Sequence, residues 1–257
     1  MNTQAIVLES PEHLALSQIA LDAPGPADVV VDIEFSGIST GTEKLLWNGR
    51  MPQFPGMGYP LVPGYESVGR VVQAGPEAGL SVGERVFVPG ARCYGEVRGL
   101  FGGAASKLVS AGSRLTPISD ALGEKSVLLA LAATAYHAVS DAGKRAIVPP
   151  DLIVGHGVLG RLLARMVVVA GFAPPTVWEI NPSRQGGAQG YPVLDPKDDP
   201  RRDYRAIYDV SGDAQILDQL VMRLAPGGEI VLAGFYTEPL HFIFKCDRWK
   251  RRARCNS

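Results

Sequence analysis

Asp151-Leu-Ile-Val-Gly-His-Gly-Val-Leu-Gly-Arg161 decides the fold. An apolar run ends in Gly155-x-Gly157-x-x-Gly160 and passes directly into Arg161-Leu-Leu-Ala-Arg-Met-Val-Val-Val-Ala170, which reads as strand, tight turn and helix. Each glycine has its own task. Gly155 makes the turn, Gly157 lets backbone approach a pyrophosphate, and Gly160 lets helix pack on strand, with Val158 and Leu159 opening the helix. The helix N-terminus offers unpaired N–H groups and a positive dipole end to phosphates. A second strand, Thr176-Val-Trp-Glu-Ile180, puts Glu179 nineteen residues after Gly160, where an acid grips the ribose hydroxyls of NAD. The competing reading is an ordinary βαβ turn with a charged strand end.

Outward from that turn, strand and helix patterns alternate. Strands are predicted at 151–155, 176–180, 191–195, 205–210 and 228–235, and helices at 158–170 and 213–225, with a short turn near 182–189. This alternation implies a Rossmann-type, doubly wound parallel sheet. The preceding third is β-rich, with Pro/Gly punctuation between runs such as Ala5–Leu8, Leu14–Leu21, Asp28–Phe35, Gly64–Gly75 and Val82–Val88. A helix is predicted over 124–142, with Val127, Leu128, Leu131, Ala135 and Val139 as its apolar face. The fold class is therefore α/β plus β: a β barrel over 1–142, a dinucleotide fold over 143–244 and an atypical basic tail over 245–257.

Composition agrees with a soluble globular chain of 257 residues, 46% hydrophobic and 20% charged. The longest apolar stretch, Val127 to Val139, is too short to span a bilayer. Met1-Asn-Thr-Gln lacks a basic and apolar leader, so a cytoplasmic location is expected. Cys93, Cys246 and Cys255 form no metal-binding spacing and no disulfide framework. The net charge of −1 hides a contrast, since Lys245–Ser257 holds six Lys or Arg against one Asp. The remaining acidic body argues against nucleic acid as a partner. The tail reads either as a phosphate- or membrane-seeking arm, which would bring the chain close to a membrane surface, or as a truncated or out-of-frame end. The second reading is preferred.

Gly37-Ile38, Gly41-Thr42-Glu43, Gly64, Glu66, Gly69-Arg-Val71, Gly75, Val82-Gly-Glu-Arg-Val86, Thr134 and the glycine motif together resemble the medium-chain dehydrogenase/reductase family. The resemblance runs from residue 1 to about 244. It implies a GroES-like barrel before the Rossmann-type sheet, with the last strand and the segment returning to the barrel missing here. It also implies nicotinamide contacts from Thr134 and Ser211, and a homodimer for a full-length chain. Zinc-dependent members carry Cys, His and Cys where this chain has Ser39 or Thr40, Tyr65 and Ala130. Hydroxyl, phenol and methyl do not replace thiolate and imidazole, so no metal is expected. Without zinc, the substrate proton needs another acceptor. Tyr65 is the first candidate, its phenol made acidic by a cation such as Lys44; Thr42 is the second, and Glu66 remains as a single carboxylate that makes no metal site by itself. The alternative for each hydroxyl is a purely structural hydrogen bond. His156 is expected to face the phosphate turn, Arg161 to neutralise pyrophosphate or lie solvated, and His137 to be a satisfied core or interface histidine.

Phe35 to Glu66, with its Ser39-Thr-Gly-Thr-Glu43 insertion and Gly64-Tyr-Glu66, closely resembles the branch of that family serving bacteriochlorophyll synthesis. That branch oxidises the hydroxyethyl group of a bacteriochlorophyllide, a magnesium chlorin, to an acetyl group. Trp47, Met51, Phe54, Met57 and Tyr59 fall in a Pro/Gly-rich loop and suit the face of a flat macrocycle; the alternative is a loop pinned to the barrel. The leading expectation is an NAD-dependent secondary-alcohol dehydrogenase. Two others stand beside it: a zinc-free NADPH quinone or enone reductase with Arg184 receiving the 2′-phosphate, and a non-catalytic pigment- or nucleotide-binding protein.

Overall fold

The structure, a computed structural model, describes residues 1–140, 148–236 and 238–243 and the backbone of 252–255. Two compact units divide the chain, Met1–Ala130 and Leu131–Ser257. The expected boundary at 142/143 lies outside the described residues.

The first unit is built from β1 (Asn2–Ser10), β2 (His13–Ala20), β3 (Asp28–Ser36), helix α1 (Thr42–Trp47), β4 (Leu61–Val62), β5 (Ser67–Ala74), β6 (Arg85–Val88), β7 (Arg98–Gly99), β8 (Lys107–Ala111) and β9 (Thr116–Pro117). These form two sheets, ordered β2-β1-β4-β7 and β8-β3-β5-β6-β9. Alternation along β3 sends Val29 and Val31 to one face and Val30 to the other; all three are buried in a core shared with Val7, Val71, Val86 and Leu108. Gly69 sits where β5 crosses β3, and a Cβ there would fall 2.1 Å from the Asp32 carbonyl oxygen. Only glycine allows that crossing. A second cluster joins Leu8, Leu45, Leu46, Met51, Leu61 and Leu100 beneath α1.

The predicted 124–142 helix is two pieces. A 3₁₀ stretch, Asp120–Leu128, is broken at Gly123 (φ +52°), and α2 then runs over Leu129–Val139. Val127, Leu128, Leu131 and Val139 are half-buried and only Ala135 is fully enclosed, so the expected apolar face is shallower than its periodicity suggested.

In the second unit β10 (Leu152–Val154) leads into α3 (Val158–Val169), followed by β11 (Thr176–Trp178), α4 (Pro182–Gln185), β12 (Val193–Leu194), β13 (Tyr204–Asp209), α5 (Leu217–Val221) and β14 (Leu224–Leu232). The sheet is parallel throughout, ordered β12-β11-β10-β13-β14-β15, where β15 is Arg252–Cys255. All five expected strands are present. A sixth, β15, corrects the expectation that the last strand of the sheet is missing. Neighbouring residues divide between the two faces: Ile153, Val177, Ala206, Tyr208 and Val231 pack with α3, while Leu152, Trp178, Tyr204, Ile207 and Ile230 pack with α5. Helices therefore cover both faces, as a doubly wound sheet requires. No helix among the described residues is long and apolar enough to cross a membrane.

Candidate active site

The turn between β10 and α3 has the geometry that its glycines predict. Gly155 holds φ +105°, closed to most side chains. A Cβ on Gly160 would fall 2.0 Å from the Gly155 carbonyl oxygen, so helix and turn touch only because it is absent. A Cβ on Gly157 would meet nothing within 4 Å. That residue and Val158 are exposed, Leu159 is half-buried, and no side chain caps the helix start. The first N–H groups of α3 thus face outward, available to an anion. Glu179, just past β11, is brought to this turn: its carboxylate accepts from the His156 N–H at 3.1 Å and the Asn181 N–H at 2.8 Å. A carboxylate has about four acceptor positions, so two remain for a ligand hydroxyl.

One expectation at the turn is corrected. The His156 ring is buried, bonding the Arg184 carbonyl through Nδ1 (2.6 Å) and the Tyr191 hydroxyl through Nε2 (2.9 Å). The half-buried Arg161 donates from its guanidinium to the carbonyls of His156, Arg184 and Gly186 and ties the α4 loop to the turn. His137 and Thr134 lie on exposed positions of α2, so His137 is not enclosed as a core histidine. The Ser211 hydroxyl donates to Asp209 Oδ1 at 2.7 Å, at the carboxyl end of β13. Tyr236 donates to the other oxygen of the same buried carboxylate at 2.7 Å.

In the first unit, a cavity of about 380 Å³ opens between the β1–β2 hairpin and the loop entering α1. Ile6, Leu8, Leu14, Ile38 and Trp47 form most of its walls, Ser39, Thr40, Glu43 and Lys44 complete them, and the surface presented is almost wholly apolar. Beside it lies a buried acidic cluster. Glu43 and Glu66 are both enclosed, and each keeps one oxygen, Oε1, with no hydrogen-bond partner. Glu43 Oε2 accepts from the Ser39 N–H at 3.0 Å. Glu66 lies against Gly37, where a Cβ would fall 2.4 Å from its Oε2. Burial pushes the Glu43 carboxyl up to about 7, with the Glu66 charge adding to the effect. Burial also raises Glu66, partly offset by a hydrogen bond with Tyr65.

The expected activation of Tyr65 is not found. Burial raises its phenol, and the charges facing it are the Glu43 and Glu66 carboxylates, which raise it further; no cation acts on it among the described residues. Lys44 points instead to the cavity. Tyr65 stands 3.5 Å from the Thr42 hydroxyl and edge-on to Phe101, so it is a protonated hydrogen-bonding group at neutral pH. Of the five expected macrocycle contacts, Trp47 alone lines the cavity. Met51, Phe54, Met57 and Tyr59 pack into the cluster beneath α1, and Tyr59 donates to the Leu46 carbonyl, which is how a loop pins itself to a barrel. Glu43 was not singled out. Its signal was available, an acid opening a short helix directly after Gly41-Thr42.

The donors at the family's zinc positions are unsuited to zinc. Ser39 and Thr40 supply hydroxyls, Tyr65 a protonated phenol and Ala130 a methyl, with no thiolate or imidazole. Among the described residues no group of three or more His, Cys, Asp or Glu could hold a metal ion.

The alcohol dehydrogenase GroES-like domain matches residues 25–120. The chain is 58% identical over 245 residues to a 2-desacetyl-2-hydroxyethyl bacteriochlorophyllide A dehydrogenase of Rhodobacter capsulatus, covering 95% of this chain and 77% of that one. It is 57% identical over 249 residues to the protein of the same name from Cereibacter sphaeroides, with the same coverage. In fold it is similar to 2R,3R-butanediol dehydrogenase from Bacillus subtilis, with a TM-score of 0.80 at 20% identity over 99% of this chain and 84% of that one. The chain belongs to the medium-chain dehydrogenase/reductase superfamily and, within it, to the bacteriochlorophyllide a dehydrogenase family.

Proposed function

We propose that the chain oxidises the hydroxyethyl group of a bacteriochlorophyllide to an acetyl group, with NAD as hydride acceptor and without catalytic zinc. The observation that carries this reading is the identity shared, across nearly the whole chain, with relatives named for that substrate. The nicotinamide, when bound, supplies the hydride acceptor. The chain's own residues do the rest. Gly157 and the α3 N-terminus admit a pyrophosphate, and Glu179 stands ready for the ribose hydroxyls while repelling a 2′-phosphate. Thr134 and Ser211 are assigned to the nicotinamide side by family position. The cavity takes an edge of the macrocycle, because its apolar walls suit a hydrocarbon surface. Conjugation of the new carbonyl with the macrocycle favours oxidation.

The test is incubation of the chain with the hydroxyethyl pigment and NAD⁺ or NADP⁺, read by the absorption shift of the acetyl product and by thermal protection. A red shift with NAD⁺, and protection at least tenfold tighter than with NADP⁺, is expected. No shift with either coenzyme overturns the substrate assignment, and stronger protection by NADP⁺ overturns the role of Glu179.

A further inference from the structure

Asp209 is a fully buried acid to which the proposed function gives no task. It ends β13, two residues before the exposed Ser211. Its Oδ1 accepts from the Ser211 N–H at 2.9 Å and the Ser211 hydroxyl at 2.7 Å, and its Oδ2 accepts from the Tyr236 hydroxyl at 2.7 Å. Each of these partners is an uncharged donor, the arrangement that suits an acceptor-only carboxylate. Burial raises the carboxyl, and the hydrogen bonds from Ser211 and Tyr236 act against that rise.

The acid ties together two loops, residues 210–213 after β13 and residues 233–236 after β14. The same loops touch at two glycines. A Cβ on Gly212, whose φ is +72°, would fall 2.8 Å from the Phe235 carbonyl oxygen, and one on Gly234 would fall 3.1 Å from the Gly212 nitrogen. The first loop also adjoins the glycine elbow, since a Cβ on Gly155 would lie 3.3 Å from the Ser211 nitrogen. The sheet ends do not need the acid for their own pairing. The Val210 N–H donates to the Val154 carbonyl and the Ala233 N–H to the Asp209 backbone carbonyl, both at 2.9–3.0 Å.

Sheet order says which part of a dinucleotide reaches these loops. β10 lies between β11 and β13, and the chain leaves it toward β11 but comes back on the β13 side. Ligands settle over the carboxyl ends of the strands at such a switch point. Glu179 serves the ribose on the β11 side and the α3 N-terminus faces the pyrophosphate, so the nicotinamide half extends over the end of β13.

We propose that Asp209 is a positioning residue for the nicotinamide half of the coenzyme, fixing the Ser211 turn and the Tyr236 loop before the coenzyme arrives. This rests on the function proposed above only for its use of a nicotinamide dinucleotide. A loop already fixed loses little freedom when its ligand binds, whereas a loose one must be ordered, and that ordering weakens binding.

Calorimetry with NADH and with ADP-ribose separates positioning from general support, because ADP-ribose carries both riboses and the pyrophosphate but no nicotinamide. Asp209→Asn keeps the shape but turns one oxygen into a donor that faces donors. NADH affinity should fall about tenfold while ADP-ribose affinity stays within about twofold. Tyr236→Phe leaves Ser211 paired with the acid and should weaken NADH about threefold, with ADP-ribose again unchanged; it carries the test if Asp209→Asn does not fold. Equal losses for both ligands, or unchanged NADH affinity in Tyr236→Phe, overturn the proposal. A native chain that binds neither ligand overturns the coenzyme reading and this proposal together. Selective loss of NADH in a chain that forms no acetyl pigment supports the proposal and overturns the substrate assignment alone.

Discussion

At the scale of single residues, the clearest contrast lies between Tyr65 and Glu43. Residue identity pointed to a phenol in the place of a zinc-ligating histidine, and it was natural to seek a cation that would make it acidic. The environment acts in the opposite sense. Two carboxyls face the phenol and burial adds to them, so it remains protonated and donates. Its removal therefore has a structural cost that a simple base would not have. Tyr65→Phe removes a half-buried hydroxyl that stands 3.5 Å from the Thr42 hydroxyl. About 1–2 kcal/mol of stability should be lost, read by urea unfolding. Turnover should fall about tenfold, with NAD⁺ affinity unchanged in calorimetry. Full activity in this variant would remove Tyr65 from the mechanism. That the Glu66 charge acts on Glu43 could not be read from their numbers, because they are 23 positions apart, one on α1 and the other just before β5.

At the scale of elements, legibility followed the length and period of each signal. The glycine elbow was readable because its three positions have three separate steric duties, and the structure shows two of them in the positive φ of Gly155 and the close packing of Gly160. This permits a paired prediction. Gly160→Ala drives a methyl into the Gly155 carbonyl and should cost about 3 kcal/mol, lowering the urea midpoint. Gly157→Ala meets open space, so stability should hold, yet the methyl occupies the approach to the pyrophosphate and NAD⁺ affinity should drop at least tenfold by calorimetry. Equal affinity in Gly157→Ala would mean that the dinucleotide does not cross this turn. Shorter elements left no periodic trace. β4 and β7 have two residues each, and α1 has six between glycines. The predicted 213–225 helix contracts to Leu217–Val221, where only Leu217 and Leu220 are buried. β15 was missed for a different reason: a parallel strand is held by backbone pairing, here to Glu229–Leu232, and its four residues, Arg252-Ala-Arg-Cys255, are too short a run to signal a strand within a basic tail.

At the scale of the whole molecule, family membership brings an expectation that the chain's chemistry opposes. Zinc-dependent relatives polarise the substrate oxygen with a dication, which stabilises the alkoxide and lets the proton leave cheaply. Here the corresponding positions carry hydroxyls, a protonated phenol and a methyl, while the nearby acids are buried with unpartnered oxygens. A dication beside them would hold both carboxyls ionised. Under the proposed zinc-free reading, the proton leaves by a route other than a metal-bound alkoxide. The purified chain should contain far less than one zinc per molecule by elemental analysis. Preincubation with 1,10-phenanthroline should leave the rate of acetyl-pigment formation within about twofold of the untreated rate, because there is no ion to withdraw from the site. A chelator-sensitive rate restored by added zinc would mean that the oxygens around Glu43 and Glu66 bind a cation during turnover, and that the proton leaves by the route the zinc enzymes use.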